Sequence, residues 1–536
     1  PATFIRFSAE ILSGYCKPMK NQLVICPLTN PDITMRTPLL FLLLLVLRAS
    51  TCPAQTAIDP RTLTAIDRYI DTLQRTWNIP GLAMAIVYKD QLVFAKGYGY
   101  RNVEQQLPVT PATVFPIASN TKLFTATAAC LLAEEGKIDL HQPASTYLPS
   151  LKFSTDELTA KVTLTDMLSH RTGLPRYDGI WAGASFTRPE MIRKIAYMKP
   201  ALGFREGYLY NNMMFVAAGA VLEATSGLSW EQLIQDKILN PLGMTSSCFT
   251  DEQMEKTGNY ATSYYEPDTT HRLAPISVKW QCEALGPAGT LRSNLEDMSH
   301  WMITQLNKGK YMGKAVFPEK VISQTLIPNN ISDREGRYDE LSHALYGLGR
   351  TMQTYKGIKI ASHTGSIDGF YSNLTLIPQQ GIAIFMVHNS SPAGSLRSVM
   401  TLPVIDLLLK QSYTPWSQRF RKTYLAEKKS EQQQRDSLLK PKIAGTQPSH
   451  ALADYAGTFS SPIYGAIRIV MAGDQLTVHF RNFHIPIAHF HYDQFYNPNP
   501  NNEWPDLKLR FLTNDGGQVD RLSVNIFGDP VTEFSK

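Results

Sequence analysis

Cysteine is scarce in this chain. Of six in 536 residues, Cys16, Cys26 and Cys52 fall before residue 55, which leaves Cys130, Cys248 and Cys282 for all the rest. Three cysteines exclude a disulfide scaffold, and no CxxC pair offers a metal cluster. Excess charge is scarce too. The formal net charge is +6, but residues 55–536 carry 47 bases against 44 acids, too even a balance to make nucleic acid the main partner. No apolar run approaches the ~20 residues that a spanning helix needs. The chain also lacks a Gly-x-Ser-x-Gly elbow, a His-Glu-x-x-His zinc helix and the glycine loops that cradle nucleotides. What it has is core-forming material: 43% hydrophobic and 18% charged residues. That composition belongs to an ordered protein of roughly three domain lengths.

The first segment reads as an address. Met35-Arg36 precedes an unbroken apolar run of nine at residues 39–47, and Cys52-Pro53-Ala54 follows. A charged start, a run of ~7–15 apolar residues and small residues before Gln55 are the pattern of a cleaved signal peptide. The protein is therefore expected to be exported, periplasmic or extracellular. Residues 1–34 show no periodicity and read as upstream translation. Cys52 raises a lipid-anchored alternative, but Ala49-Ser50-Thr51 lacks the Leu usual three residues before a lipidated Cys. Membrane anchoring is expected only if Cys52 is lipidated.

Residues 55–412 alternate strand-like and helix-like segments. Residues 82–88 and 91–98 flank Lys89-Asp90 as a hairpin. Residues 121–135 are apolar almost all round, which predicts a buried helix, and residues 213–225 predict a second. Residues 358–361, 371–377 and 382–388 read as further strands. A polar linker, partly helical, occupies 413–450, and 451–536 reads as short strands of a small β-barrel or sandwich.

Ser119-Asn120-Thr121-Lys122 opens the first buried helix. Residues three apart share a helix face, so Lys122 stands beside Ser119, and a buried lysine with a lowered pKa can take a serine proton. The motif alone is ambiguous: an N-cap serine explains Ser119 equally well, and Ser437-Leu438-Leu439-Lys440 repeats the spacing in the polar linker. Tyr210-Asn211-Asn212 is a Tyr-x-Asn match, but so are Tyr100-Arg101-Asn102 and Tyr371-Ser372-Asn373. His363-Thr364-Gly365 follows a strand-like run and suits an edge along which substrate lies, or a plain strand-end turn.

Order selects among these. Ser-x-x-Lys, Tyr-x-Asn 91 residues on, then a basic-Thr-Gly triplet near the domain end is a joint pattern. With it, the chain resembles the class C β-lactamase and penicillin-binding-protein-like serine hydrolases. Residues 168–175, 204–212, 240–244 and 286–289 look like further landmarks of that family, and residues 453–536 look like the small β domain often attached behind such hydrolases. The resemblance implies an α/β (α+β) serine β-lactamase/DD-peptidase-like fold, an antiparallel sheet flanked by helices with an all-helical region.

It also implies roles. Ser119 would be the acylated nucleophile, with Lys122 and Tyr210 sharing proton transfer. Asn212 would bind the substrate amide, His363, Thr364 and Gly365 would form the strand wall, and the amides of Ser119 and Ser366 the oxyanion hole. The β-lactamases usually carry Lys where His363 stands, which points toward peptidase or esterase chemistry. The expected activity is hydrolysis of a D-amino-acid-type peptide amide, an ester or a β-lactam through a serine acyl-enzyme. The alternative is an inactive penicillin-recognising fold used as a binding or sensor module. No cofactor and no metal are expected; the expected partner is a small-molecule or peptide substrate, cell-wall-derived material among them. The motif residues precede about residue 370, so the C-terminal β segment is expected to do no chemistry itself.

Overall fold

A computed structural model describes residues 58–536 except 267–271, 278, 280–281, 335–337, 392–395, 440–441, 500–503 and 505. The leader reading at residues 35–54 and the upstream segment lie outside the described residues.

The scaffold is an antiparallel sheet of nine strands. In chain order they are β1 (Gly81–Tyr88), β2 (Gln91–Asn102), β3 (Leu107–Pro108), β4 (Asn330–Asp333), β5 (Ala344–Tyr346), β6 (Thr351–Tyr355), β7 (Ile358–Ile367), β8 (Phe370–Ile377) and β9 (Ile382–His388). Their spatial order is β4-β5-β6-β7-β8-β9-β1-β2-β3. The first hairpin therefore pairs with the last strand, Ala85 opposite Phe385. β1 is buried on both faces, as a central strand packed between helices must be. Its Leu82, Met84 and Ile86 meet α1 (Pro60–Thr76), which presents Ile66, Ile70 and Leu73. The alternate Ala83, Ala85 and Val87 belong to the main core on the other face.

Between β3 and β4 the chain makes the helical region. α2 (Thr121–Glu134) and α3 (Asn212–Ser226) lie at its centre. Both lack a polar face, and every residue of α2 from Thr121 to Leu132 is buried, as its composition predicts. Gly219 on α3 lets Pro287 approach: a Cβ there would lie 2.1 Å from the proline ring. α4 (Leu295–Leu306) stacks Trp301 on Phe124 of α2, ring centroids 4.1 Å apart.

After α5 (Leu396–Leu409), α6 (Trp416–Leu439) runs as one helix of 24 residues through the polar linker, more helical than its composition suggests. Its start is anchored. Trp416 and Phe420 are buried against Tyr338 and Tyr355, while the polar remainder follows from solvation of the later turns. Eight strands then close into a barrel in simple sequence order, β10 (Gly457–Ser461) to β17 (Thr532–Ser535), the seam being Ser460 opposite Ser535. Alternate residues such as Ile467, Ile469, Val478, Phe480 and Ile485 fill its interior.

Candidate active site

Ser119 lies in a single 3₁₀ turn, Ala118–Asn120, that leads directly into α2. Ala118 has φ of +49°, left-handed backbone that an alanine adopts only under tertiary constraint, at a cost of about 1–2 kcal/mol. The constraint is visible. Ser372 on β8 donates to the carbonyl of Ile117 (2.6 Å) and accepts from Asn120 Nδ2 (2.8 Å). On the other side, Ile117 N–H donates to Leu291 O (3.0 Å), and Leu291 N–H donates to Thr121 Oγ1 (3.1 Å). The turn is therefore clamped between the sheet and the segment around residue 290, with Ser119 half-exposed at the head of a helix, where developing negative charge is favoured.

Lys122 is fully buried one turn on. Its Nζ lies 3.0 Å from Ser119 Oγ, 2.8 Å from Asn212 Oδ1 and 2.6 Å from Ala288 O. Burial, with the Arg176 cation nearby, holds its amine well below the ordinary lysine range; Asp178 opposes this. The neighbours decide what a neutral amine does here. The carbonyls of Asn212 and Ala288 can only accept, so they take its two N–H groups. Its lone pair is then left for the Ser119 hydroxyl proton.

Asn212, at the first turn of α3, has both amide ends engaged within the protein. Its carbonyl accepts from Lys122 and its Nδ2 donates to Asp178 Oδ1 (3.0 Å). That carboxylate also accepts from Trp181 Nε1 (2.9 Å) and, at its other oxygen, from Arg176 Nε (2.6 Å). The task the geometry gives Asn212 is to hold the lysine. Nothing local in the sequence marks Arg176 and Asp178. They follow the 168–175 landmark on a loop bent by Tyr177 at φ +50°, and their partner lies 34 residues on.

Tyr210 lies with its ring centroid 5.0 Å from Lys122 Nζ, between the Arg176 guanidinium (5.0 Å from the same centroid) and His170 (ring centroids 4.3 Å apart). His170 is a shelf for that ring. It is fully buried, its Nδ1 accepts from Asn211 N–H (3.1 Å), and burial pushes its imidazole well below the ordinary histidine range.

His363 and Thr364 lie on β7, and Gly365 is the point where that strand passes the Ser119 turn. A Cβ on Gly365 would stand 2.3 Å from Ile117 O and 3.0 Å from the Ala118 side chain. This brings Ser366 next to the turn that carries Ser119, with both residues at least partly exposed. His363 itself is almost buried. Its Nδ1 is 2.6 Å from Thr364 O and its Nε2 3.0 Å from the Tyr346 hydroxyl. A carbonyl only accepts, so Nδ1 carries a proton toward Thr364 O, while Nε2 meets the Tyr346 hydroxyl, which burial keeps protonated.

The motif duplicates fall elsewhere. Tyr100 is exposed on β2. Tyr371 stacks on His388, and Asn373 donates to Thr401 of α5. Ser437 is exposed on α6. Among the described residues, no three His, Cys, Asp or Glu side chains are grouped to hold a metal ion, and Cys130 is core.

Comparisons with known proteins bear on the family and the fold. The family described as Beta-lactamase matches residues 66–405, and a domain of unknown function, DUF3471, matches residues 441–536. The chain is 30% identical over 334 residues to Unguisins hydrolase ungD' of Aspergillus campestris, covering 60% of each chain. It is 25% identical over 441 residues to Unguisins hydrolase ungD of Aspergillus violaceofuscus, 76% of each. Against Protein flp of Staphylococcus aureus it is 27% identical over 331 residues, 60% of this chain and 62% of that one. The chain thus spans somewhat under two thirds of the first and third of these relatives. Its fold is similar to that of the octameric penicillin-binding protein homologue from Pyrococcus abyssi (TM-score 0.58, 23% identity, 88% of this chain and 100% of that one). It is also similar to SurE (TM-score 0.55, 18% identity, 89% and 99%). With its family match spanning well over half the chain, and a serine and a buried lysine meeting where such a hydrolase needs them, this protein belongs to the Beta-lactamase family of serine hydrolases.

Proposed function

We propose that this hydrolase works through an acyl-enzyme on Ser119, cleaving a peptide amide of the D-amino-acid type or an ester. The observation that carries the proposal is the buried Lys122 Nζ, 3.0 Å from Ser119 Oγ and bonded to the carbonyls of Asn212 and Ala288, with burial holding its amine well below the ordinary lysine range. In the reaction, Ser119 Oγ bonds to the substrate carbonyl carbon as its proton passes to Lys122 Nζ. The oxyanion is held by the Ser119 and Ser366 amides. The proton then reaches the leaving amine or alkoxide by way of Tyr210, and the carbon–leaving-group bond breaks. Water repeats the sequence in reverse on the ester intermediate, freeing the acid and Ser119.

Two features favour peptide or ester over efficient β-lactam turnover. His363 is buried and engaged at both nitrogens, so it offers a substrate carboxylate no free ammonium. Arg176 supplies a cation instead: its guanidinium stands over Tyr210 and its side chain is 56% exposed. We assign it the binding of an anionic group on the substrate. Two relatives carry names that make them hydrolases of unguisins, which supports a hydrolytic reading without fixing this protein's substrate. The apolar run at residues 39–47 supports a reading in which the protein is exported and acts outside the cytoplasm.

The test is covalent labelling. A small fluorophosphonate should add to Ser119 in the wild-type protein, located by peptide mass spectrometry, and a panel of nitrophenyl esters, D-alanyl peptides and nitrocefin should rank nitrocefin last. An unlabelled, folded wild type would make the protein a binding module instead.

A further inference from the structure

The barrel reaches the site without contributing to its chemistry. Its Asp529 accepts at Oδ2 from the backbone N–H of Gly179 (2.8 Å) and from the Tyr464 hydroxyl (3.2 Å). From the barrel turn after Phe480, Arg481 donates to Gly179 O (2.8 Å) and Ala182 O (2.5 Å), and to Tyr464 O within the barrel (3.0 Å). Both ends of the Gly179 residue are thus held by the Asp529 carboxyl and the Arg481 guanidinium. Asp529 and Tyr464 are almost fully buried. The fit leaves no slack: a Cβ on Gly179 would lie 2.5 Å from Ile526 Cγ2 and 2.7 Å from Asp529 Oδ2, and one on Gly183 would lie 2.0 Å from Asn482 Oδ1.

The clasped residue is the neighbour of Asp178. From there a continuous chain of hydrogen bonds runs inward, Asp178 to Asn212 (3.0 Å), Asn212 to Lys122 (2.8 Å), Lys122 to Ser119 (3.0 Å). The loop is also held by its buried Tyr177, Ile180, Trp181 and Ala182 and by Asn211 Nδ2 on the Pro175 carbonyl, but the backbone of Gly179 itself is met by the barrel. Tyr177 takes a left-handed conformation, and residues 178–180 form a single 3₁₀ turn. The Asp178 carboxylate accepts from three donors that must all be met from one position, since Trp181, Arg176 and Asn212 come from different directions along the chain. A loop free to swing would lose the contact with Asn212 first, because that partner alone lies outside the loop.

We propose that Asp529 and Arg481 are positioning residues for the proton-transfer site: by clasping Gly179 they hold the Asp178 carboxylate where it orients Asn212 and, through it, the Lys122 amine. This rests on the reading of Ser119 as nucleophile and Lys122 as its base. Neither barrel residue touches the reacting atoms. Their effect is on geometry at Nζ, where a displacement of ~1 Å is enough to cost up to ~100-fold in rate.

The experiment uses the full-length protein and a small alkyl fluorophosphonate, reading the saturating labelling rate and the half-saturating concentration separately. Asp529→Ala should lower the saturating rate by about 10- to 100-fold and leave half-saturation unchanged, because the probe contacts nothing in the barrel. Asp529→Asn, whose side-chain oxygen still accepts from Gly179 N–H, should stay within about twofold of wild type. That rescue separates positioning from loss of a charge. Gly179→Ala, which removes no hydrogen-bonding group but wedges the clasp apart, should reproduce the rate loss; it serves also if Asp529→Ala fails to give a native circular dichroism spectrum. Folded Asp529→Ala or Gly179→Ala protein labelled at the wild-type rate would overturn the inference. So would an Asp529→Asn protein as slow as the alanine variant. An unlabelled wild type would instead overturn the nucleophile reading, and this inference with it.

Discussion

Gly365→Ala adds one methyl group where β7 passes the nucleophile turn. The new Cβ would stand 2.3 Å from Ile117 O, 2.4 Å from Ser372 Oγ and 3.0 Å from Ala118 Cβ. Ordinary carbon contacts begin near 3.5 Å, so something must retreat by about 1 Å. Ile117 cannot do so cheaply, since its N–H and C=O are tied to Leu291 and Ser372 on opposite sides. Nor can β7 pull away freely, because Gly365 is paired with Ser372 in the sheet. Overpacking of this kind costs about 1–3 kcal/mol of stability. The larger consequence falls on rate. The retreat separates Ser366 from Ser119, and a misplacement of ~1 Å at an oxyanion site can remove about 100-fold in acylation. Stopped-flow labelling with a fluorophosphonate, with melting followed by circular dichroism, measures both. A Gly365→Ala protein that melts normally and labels within about threefold of wild type would refute the argument that close passage of β7 builds the oxyanion site.

Ser119→Ala should abolish labelling and hydrolysis with the fold retained, whereas Ser437→Ala, on the exposed face of α6, should match wild type in both assays. Tyr210→Phe should lower kcat by ~10²–10⁴, and its effect should not add to that of Lys122→Ala because both serve one proton transfer; Tyr371→Phe should leave the rate unchanged. Acylation should fall as pH drops through the lowered pKa of Lys122, since protonation removes the lone pair that faces Ser119, and the fall should follow a single ionisation in a pH–rate profile. Asp529 has its carboxyl pushed up to about 7 by burial, with Asp178 adding repulsion. Its folded state holds a proton that the unfolded chain releases near pH 4, so this group's favourable contribution is complete below pH 4 and lost as pH rises to about 7. Asp529→Asn should therefore melt closer to or above wild type at pH 8 than at pH 4, measured in paired thermal scans.

Much of the site was legible because its central pair is local. Ser119 and Lys122 are three residues apart on a run apolar all round, so helix geometry alone sets them side by side. Tyr210 and His363 became legible only through their order along the chain, since each has a rival or a plainer reading by itself. The tasks of individual residues were less visible. Asn212 is expected to bind the substrate amide, and its contacts to Lys122 and Asp178 add a second engagement that the sequence does not show. His363 looked like an exposed wall residue, but its hydrogen bond to Tyr346 crosses from β7 to β5 and leaves no trace in either segment. Arg176, Asp178 and Ser372 carry no motif, because their partners come together only through tertiary packing. The barrel was left open between barrel and sandwich for the same reason: strand spacing is alike in both, and closure depends on the pairing of Ser460 with Ser535.

The contact between Gly179 and Asp529 spans 350 residues of chain. Synthesis at ~5–20 residues per second puts about 20–70 s between the emergence of its two halves. During that interval Ser119, Lys122 and Asn212 are already made, while the clasp that holds their support is not. A chain interrupted after Ser366 in that window, or clipped later between α6 and β10, keeps every motif residue but loses the barrel's contacts to Gly179. On the proposed role of the clasp, catalytic competence becomes a check on completeness: full activity would be reached only by molecules whose barrel has been made, closed and docked.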